Sequence, residues 1–396
     1  MKKIYLDNAA TTPLDPEVFE AMKPYFCEVF GNPESQHSFG KQAEFAVIRA
    51  REQTAKAIGA SDNEIYFTCC AAEANNWALK GAVWASKKPK KKIIISAIEH
   101  SSVLNCAEDL AEHGVEVQQI LPDSLGVISP QSVVEALDEN TVLVSIMLAN
   151  NEVGSIQPIK EICQAVKSYN KEILFHTDAV QAIGTLDVNV QDLGVDMLSL
   201  SAHKFYGPKG VGALYIKNGV KIDRLIAGGN QERGKRGGTS NVPAIVGLGA
   251  AIEKAVKERE KNSEYIRSLR DYFIQKVEEL VPDVKLNGHR TNRLDGNVNF
   301  SFDYVTSQSV INMLDMKGIA ASVGSACTAG SFKPSYVLMA MGVPKELANS
   351  SVRFSIGRHN TKEEIDYTVQ TLKECVAELR KLSPLFVEIR TDKHFV

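Results

Sequence analysis

The chain has 396 residues, with 45 lysines and arginines against 48 aspartates and glutamates, so its formal net charge is −3. Hydrophobic residues make up 44% of the sequence and charged residues 23%, which excludes a disordered, collagen-like or low-complexity chain. The balanced charge gives no reason to expect direct nucleic-acid binding, and the apolar runs are too short to cross a membrane.

Apolar runs of strand length recur through the first two thirds of the chain. The predicted strands are Glu64–Thr68, Lys92–Ser96, Val142–Leu148, Glu172–His176, Asp196–Leu200 and Val211–Ile216. Helical periodicity separates them, and the predicted helices include Lys41–Ile58, Ala74–Ala85, Ser101–His113 and Ile159–Tyr169. This alternation predicts an α/β fold with a mostly parallel central sheet covered by helices, whose ligands bind beyond the carboxyl ends of the strands.

The pattern changes after Pro243. A long helical stretch, Ala244–Leu280, precedes the helix breaker Pro282. The remaining predicted elements are the strand Val298–Phe302, the helix Ser309–Met316, the strands Ile319–Ser322 and Val352–Ile356, and the helix Thr361–Leu382. We predict a second, smaller α+β unit here.

The seven cysteines are scattered along the chain, and their number is odd. A disulfide framework is therefore not expected, and the protein is expected to be located in the reducing cytoplasm. The spacing also predicts no metal site, and no signal-peptide core follows Met1. Cys106, Cys163 and Cys375 fall in helical segments and are predicted to pack in the core, whereas Cys27 has no assigned role.

Lys204 and Asp178 indicate chemistry because each follows or ends a predicted strand. A lysine that forms a Schiff base needs a partly desolvated site, although an isolated lysine at a strand end is more often a surface residue. Pyridoxal phosphate requires both such a lysine and a carboxylate at its pyridine nitrogen. The pair therefore predicts a pyridoxal-phosphate site.

These two residues belong to a series of motifs that spans almost the whole chain. The motifs are YLDNAATTPLD at 5–15, FGNPESQHSFG at 30–40, AEANN at 72–76, EHSSV at 99–103, NNEVGSIQP at 150–158, HTDAVQAIG at 176–184, SAHKFYGPKG at 201–210, NQERGKRGGTSNVP at 230–243, GSACTAG at 324–330 and SVRFSIGR at 351–358. In these motifs the chain resembles the NifS/IscS-type cysteine desulfurases, which are pyridoxal-phosphate enzymes of fold type I in the class-V aminotransferase family.

The resemblance implies how the cofactor ring would be held. Lys204 would carry pyridoxal 5'-phosphate as a Schiff base and transfer protons, and His100 would stack on the ring. Asp178 would pair with the ring nitrogen, and Gln181 and Asn151 would contact the ring oxygen and its surroundings.

It also implies the phosphate contacts. Ser201, His203 and the backbone at Ala71 and Ala72 would hold the phosphate, and Thr239 would reach it from a second subunit. A homodimer is therefore expected.

For the substrate L-cysteine, the resemblance implies that Arg353 and Asn32 hold the carboxylate and that Cys327 is the nucleophile. A run of small residues around Cys327 suits an exposed, reactive thiol. We expect a large cofactor-binding domain over residues 15–258, and a small domain over 1–14 and 259–396 that carries Cys327 and Arg353.

The activity implied is conversion of L-cysteine to L-alanine, with a persulfide formed on Cys327 and passed to a sulfur acceptor. That acceptor would be an iron–sulfur scaffold protein or a tRNA-thiolation enzyme. Two alternatives stay open. One is a selenocysteine lyase or another pyridoxal-dependent cysteine lyase, and the other is a non-catalytic scaffold with a degenerate cofactor site.

One stretch departs from the family pattern. The chain reads Cys69-Cys70-Ala71-Ala72-Glu73 where the family usually has Ser-Gly-X-Thr-Glu. A helix start binds phosphate through its backbone N–H groups, so the site would survive without the threonine hydroxyl, but with lower affinity. Cys69 and Cys70 are expected to fill space; the alternative is a redox-active pair, because a helix N-terminus lowers the pKa of a thiol.

Overall fold

A computed structural model describes residues 3–324 and 334–383. Its strands are β1 (Ile4–Tyr5), β2 (Ile65–Thr68), β3 (Lys92–Ser96), β4 (Glu116–Ile120), β5 (Thr141–Ser145), β6 (Leu174–Asp178), β7 (Met197–Ser201), β8 (Gly212–Ile216), β9 (Val284–Leu286), β10 (Asn297–Phe302), β11 (Ile319–Ala320) and β12 (Ser351–Ser355).

The helices alternate with these strands. They are α1 (Pro16–Met22), α2 (Pro24–Cys27), α3 (Ser38–Ala57), α4 (Ala71–Ala85), α5 (Ser101–Glu112), α6 (Pro130–Glu135), α7 (Ile159–Tyr169), α8 (Val190–Leu193), α9 (Val242–Lys257), α10 (Arg259–Leu280), α11 (Ser307–Met316), α12 (Tyr336–Ala340), α13 (Lys345–Asn349) and α14 (Lys362–Lys381). No described helix is both long and apolar enough to cross a membrane.

The central sheet has seven strands in the order β2-β8-β7-β6-β5-β3-β4. Strands β3 to β7 pair in parallel, and β8 is antiparallel to both of its neighbours, β7 and β2. Six of the seven strands therefore run in one direction, and their carboxyl ends meet at one edge. The predicted mostly parallel α/β sheet is confirmed.

Both faces of this sheet are buried, which explains the unbroken apolar runs in the sequence. Ile94 packs into a core cluster with residues of α3, α7 and α9. Its neighbours Ile93 and Ile95 point to the opposite face and pack into a cluster with residues of α4 and α5. Alternate side chains of one strand thus hold helices on both faces.

A second core lies around the three-stranded antiparallel sheet β12-β10-β9 and the parallel pair β1-β11. The side chains of Ile4 and Leu6, at the start of the chain, pack into this core with residues of α10, α11 and α14. The N-terminal strand therefore joins the C-terminal part of the chain.

Two features of the elements were not predicted. The helical stretch Ala244–Leu280 is divided into two helices, α9 and α10, which are separated at Glu258. The strand β4 was not predicted because its sequence, EVQQI, is polar and its residues are mostly not buried at the sheet edge.

Candidate active site

A cavity of about 260 Å³ opens at the carboxyl edge of the central sheet. The segments that follow β2, β3, β5, β6 and β7 all contribute to its walls, as a parallel sheet dictates. The residues that line it are Ala9, Ala10, Cys70, Ala71, Ala72, His100, Met147, Asn151, Asp178, Val180, Gln181, Ser201, His203, Lys204 and Arg353. Most of the residues predicted from the sequence thus come together here.

Lys204 lies in a short 3₁₀ turn, Ala202–Lys204, directly after the end of β7. Its Nζ donates hydrogen bonds to the carbonyl oxygens of Ala9, at a very short distance, and Ala10, at 2.9 Å. The N-terminal segment of the chain therefore forms one wall of the cavity and holds the amine in place.

Asp178, the last residue of β6, is only 4% exposed. One carboxylate oxygen accepts a hydrogen bond from Asn75 Nδ2 at 2.7 Å, and the other accepts one from the Val180 N–H at 2.9 Å. These donors fix the carboxylate in one orientation and stabilise its charge.

His100 is the N-cap of α5, and its Nδ1 lies 2.8 Å from Ser102 Oγ and accepts from the Ser102 N–H at 3.2 Å. Burial lowers the pKa of His100; nearby Lys204 acts in the same direction and Asp178 in the opposite one. The imidazole is therefore neutral at physiological pH, which suits a ring that packs against a flat aromatic ligand.

The N-terminus of α4 forms another part of the cavity wall. Ala71 and Ala72 are its first two residues, and Cys70 is its N-cap. The first N–H groups of a helix have no carbonyl partners within the helix, and they favour an anion. Ser201 and His203 line the same cavity.

His203 is held beside this wall. Its Nδ1 lies 3.1 Å from Thr11 Oγ1. Burial lowers the pKa of His203 to about 4, and Lys204 and Lys209 act in the same direction. The ring is neutral at pH 7 and can contribute one N–H as a donor.

Arg353 of β12 brings the second core to the cavity. Its guanidinium is 1% exposed and donates to Asp7 Oδ1 at 2.8 Å and to the Asn151 carbonyl at 3.1 Å. Gln181, which follows β6, is linked to the N-terminal segment, because its Nε2 donates to the Ala9 carbonyl at 3.0 Å. The cavity is therefore built by both cores together.

Two predicted residues, Asn32 and Thr239, do not line the cavity of a single chain. Asn32 is exposed, and its Oδ1 accepts from the Glu34 N–H at 3.0 Å. Thr239 is also exposed. Cys327 lies outside the described residues.

Sequence reasoning missed two residues that hold predicted site residues in position. Asn75 orients Asp178, and Asp7 pairs with Arg353. Both stand in the quoted motifs AEANN and YLDNAATTPLD. Asn75 could have been identified from the sequence, because it lies four residues after the predicted site residue Ala71, and residues four apart share a helix face.

The expectation that the cysteines at the start of α4 fill space was wrong for Cys69. Cys69 is exposed, so it does not fill space as expected, and Cys70 is partly exposed. Partial burial, together with the adjacent Glu73 carboxylate, raises the pKa of Cys69 to about 12. The expected lowering by the helix N-terminus is absent because Cys69 lies before the N-cap, next to an acidic group. Cys106, Cys163 and Cys375 are buried, as predicted.

The fold and this cavity define a class of enzymes that hold a cofactor at the carboxyl edge of a parallel sheet. The aminotransferase class-V family model matches residues 4–368, and the chain belongs to this family. This confirms the predicted fold, that of pyridoxal-phosphate enzymes of fold type I.

Individual relatives agree with the motifs. Cysteine desulfurase IscS of Dictyoglomus turgidum is 50% identical over 392 residues, which cover 99% of each chain. A solved structure of a NifS-like protein matches with a TM-score of 0.90 at 40% identity, covering 95% of this chain and 100% of that one. The structure of SspA in complex with cysteine matches with a TM-score of 0.81 at 39% identity, covering 91% of this chain and 100% of that one. The predicted resemblance to cysteine desulfurases is confirmed.

Proposed function

We propose that the protein is a pyridoxal-phosphate-dependent cysteine desulfurase, which converts L-cysteine to L-alanine and leaves a persulfide on Cys327. One observation carries this proposal: Lys204, Asp178 and His100, which come from three different strand ends, line a single cavity with the N-terminus of α4. The full-length likeness to proteins described as cysteine desulfurases supports the same activity.

The residues of the cavity fit the cofactor. Within residues 3–324 and 334–383, Asn151 Oδ1 and Arg353 Nε are buried and have no hydrogen-bond partner. Buried polar atoms are rarely left unpaired, so a bound polar ligand is expected to satisfy them. Asp178 suits a pyridine N–H, His100 suits a ring face, and the α4 N-terminus, Ser201 and His203 suit a phosphate.

When bound, pyridoxal phosphate supplies an electron sink that withdraws electrons from the substrate α-carbon. The protein's part is to orient the substrate and move protons. Lys204 Nζ takes the proton from the α-carbon, and the buried Asp178 carboxylate keeps the pyridine nitrogen protonated. Arg353 binds the substrate carboxylate, and Asn32 assists in this role.

The Cys327 thiolate attacks the substrate sulfur, so that a sulfur–sulfur bond forms as the bond between sulfur and the β-carbon breaks. Both described flanks of its segment contact the site. The backbone of Ser322 pairs with that of Arg353 at 2.7 and 3.0 Å, and Tyr336 OH donates to the Glu99 carbonyl at 2.6 Å. These contacts support Cys327 as the nucleophile.

The proposal extends to assembly and location. Phe30, Phe39 and Phe45 are 67%, 52% and 69% exposed, and such apolar surface favours a homodimer in which Thr239 completes the partner's phosphate site. The persulfide passes to an iron–sulfur scaffold protein or a tRNA-thiolation enzyme. The free thiols of the chain favour the cytoplasm as its location.

The test uses two samples. One is incubated with L-cysteine alone and analysed by mass spectrometry of Cys327, and the other is incubated with L-cysteine and a reductant for quantification of alanine. We expect alanine and one added sulfur atom on Cys327. Cys327→Ala should abolish alanine formation and keep the cofactor absorbance band, whereas Cys27→Ala, which removes an exposed thiol, should behave as the unaltered protein.

Other outcomes would identify the alternatives. Pyruvate in place of alanine would indicate a different cysteine lyase. Absence of both the product and the cofactor band would indicate a non-catalytic scaffold. Alanine formation by Cys327→Ala at the unaltered rate would refute the role of this thiol.

A further inference from the structure

Two adjacent thiols stand at the mouth of the cavity. Cys69 and Cys70 connect β2 to α4, and their Sγ atoms lie 3.6 Å apart. Cys69 is exposed to solvent, and Cys70 lines the cavity. A small solute can therefore reach the pair from outside and from the cavity.

Glu73 ties the two thiols to the start of the helix. Its backbone N–H donates to Cys70 Sγ at 3.4 Å, and its carboxylate accepts from the Cys69 N–H at 2.7 Å. Arg236 fixes that carboxylate through hydrogen bonds of 2.7 and 3.0 Å. The position of each sulfur is thus coupled to the geometry of the first turn of α4.

We propose that Cys69 and Cys70 are a reversible oxidation site, which reacts with a peroxide to form a disulfide between adjacent residues, and that the oxidised protein binds pyridoxal phosphate less tightly. The second half of this proposal rests on the proposed function, because it places the cofactor phosphate at the N-terminus of α4.

The chemistry balances with one molecule of peroxide. Cys70 Sγ, which accepts a hydrogen bond from the Glu73 N–H, attacks one peroxide oxygen, and the oxygen–oxygen bond breaks. The departing hydroxide takes the thiol proton of Cys70 and leaves as water, and a sulfenic acid remains on Cys70. Cys69 Sγ then attacks Cys70 Sγ, the sulfur–oxygen bond breaks, and the departing hydroxide takes the thiol proton of Cys69 and leaves as a second water. Two thiols are oxidised and one peroxide is reduced to two waters.

The roles of the two thiols differ. Partial burial and the Glu73 carboxylate raise the pKa of Cys69 to about 12, so Cys69 remains a protonated thiol and acts as the resolving partner. The attack on peroxide is assigned to Cys70, whose Sγ accepts a hydrogen bond from the Glu73 N–H and lines the cavity.

Backbone geometry makes the bond reversible. Adjacent Cα atoms lie about 3.8 Å apart across a trans peptide, whereas disulfides usually join Cα atoms about 4.4–6.8 Å apart. A disulfide here is strained, and strained disulfides are readily reduced by thiols.

The same geometry couples oxidation to the cofactor. Closing the sulfur separation from 3.6 Å to bonding distance draws Cys70 Sγ away from the Glu73 N–H and removes the side-chain cap of α4. The first turn then holds its N–H groups less firmly toward the phosphate. We expect the dissociation constant for pyridoxal phosphate to rise about fivefold, the equivalent of losing one N-cap.

The experiment treats the full-length holoenzyme with one equivalent of hydrogen peroxide. Peptide mapping should show the peptide with residues 69 and 70 lighter by two hydrogen atoms, and dithiothreitol should restore its mass. Cofactor dissociation, measured by absorbance after gel filtration, should increase in parallel. Cys69→Ser should show neither change, because it keeps the cap of Cys70 and removes only the resolving thiol. Cys27→Ser should behave as the unaltered protein.

Each part can be overturned separately. In the unaltered protein, stable sulfenic or sulfinic acid on Cys70 without a disulfide would overturn the oxidation site. A disulfide with an unchanged dissociation constant would overturn its effect on the cofactor. If the reduced protein did not bind pyridoxal phosphate at all, the proposed function would fail, while the peptide masses would still decide the oxidation site.

Discussion

At the scale of single residues, Arg353 owes its position to partners rather than to its own backbone alone. The guanidinium is almost completely buried, and its one carboxylate partner among the described residues is Asp7. A buried charge without such a partner is strongly unfavourable, so Asp7 both stabilises and orients the group proposed to bind the substrate.

Replacing Asp7 by alanine should therefore impair substrate binding. We expect the KM for L-cysteine to rise about tenfold, the effect of losing one hydrogen bond between charged groups, with the dissociation constant for pyridoxal phosphate unchanged. Asp187→Ala, at a side chain that is 82% exposed, is the matched control. Equal KM values for the two variants would show that Asp7 does not position Arg353.

Ala72 is the residue where the chain lacks an expected hydroxyl. Ala72→Thr would place a donor beside the proposed phosphate position at the start of α4. One hydrogen bond to a charged acceptor contributes about 1.5–3 kcal/mol, so we expect affinity for pyridoxal phosphate to increase on the order of tenfold to a hundredfold. Equal dissociation constants measured for Ala72→Thr and the unaltered protein would contradict this expectation.

Glu99 makes the stability depend on pH. Burial raises its pKa from the ordinary value of 4.5 to about 8, and Oε1 accepts from Ser96 Oγ at 2.5 Å and from the Met147 N–H at 2.8 Å. Between these pH values the native protein keeps a proton that the unfolded chain has released. The free energy of unfolding therefore falls as the pH rises through this window.

Glu99→Gln removes this titration and keeps the accepting oxygen. Between pH 5.5 and 8.5, the unaltered protein should lose on the order of 3 kcal/mol more stability than Glu99→Gln, as measured by denaturant unfolding. Glu20→Gln, at a side chain that is 65% exposed, should follow the unaltered protein. Identical pH profiles for all three proteins would mean that Glu99 is ionised in the native state.

At the scale of elements, α4 serves the site twice. Its N-terminus is proposed to hold the cofactor phosphate, and one turn later Asn75 donates to Asp178. Asn75 Nδ2 also donates to Ser102 Oγ at 2.9 Å, which links α4 to α5 beside His100. One helix thereby sets the distance between the phosphate and ring ends of the cavity.

Asn75→Ala should loosen Asp178 and weaken cofactor binding about tenfold, because a hydrogen bond to a carboxylate is lost. The neighbouring Asn76 is the matched control, since its Nδ2 donates to the backbone carbonyls of Ala72 and Ser102 and not to Asp178. The measurement is titration of each apoenzyme with pyridoxal phosphate. An equal loss of affinity in Asn75→Ala and Asn76→Ala would indicate a general effect on the helix instead.

At the scale of the whole molecule, the exposed phenylalanines predict self-association. The rings of Phe30 and Phe39 lie 5.7 Å apart, and Phe45 follows on α3. A charge in this apolar surface disfavours its burial against a second chain. Phe45→Asp should therefore shift the protein from dimer to monomer in size-exclusion chromatography with light scattering.

The control is Met316→Asp, which changes a side chain that is 79% exposed on the surface of α11. It should remain dimeric. A monomeric unaltered protein, or a Phe45→Asp variant that stays dimeric, would contradict the proposed interface. Circular dichroism should be unchanged in both variants, because neither position is buried.

Much of the fold follows from local pattern. Apolar runs such as KIIIS predict β3 with its observed bounds, because a strand buried on both faces needs apolar residues throughout. The same rule fails for β4, which lies at the sheet edge. The break between α9 and α10 at Glu258 also escapes prediction, because neither glycine nor proline marks it.

For the site, the sequence by itself determined which residue types stand at the strand ends. Lys204 and Asp178 could be paired because the carboxyl ends of parallel strands meet at one edge. Only the tertiary structure decided their partners, since Asn75 and Asp178 are 103 positions apart and Asp7 and Arg353 are 346 apart. Periodicity reports whether a side chain is buried, but the residue that it meets depends on how the elements pack.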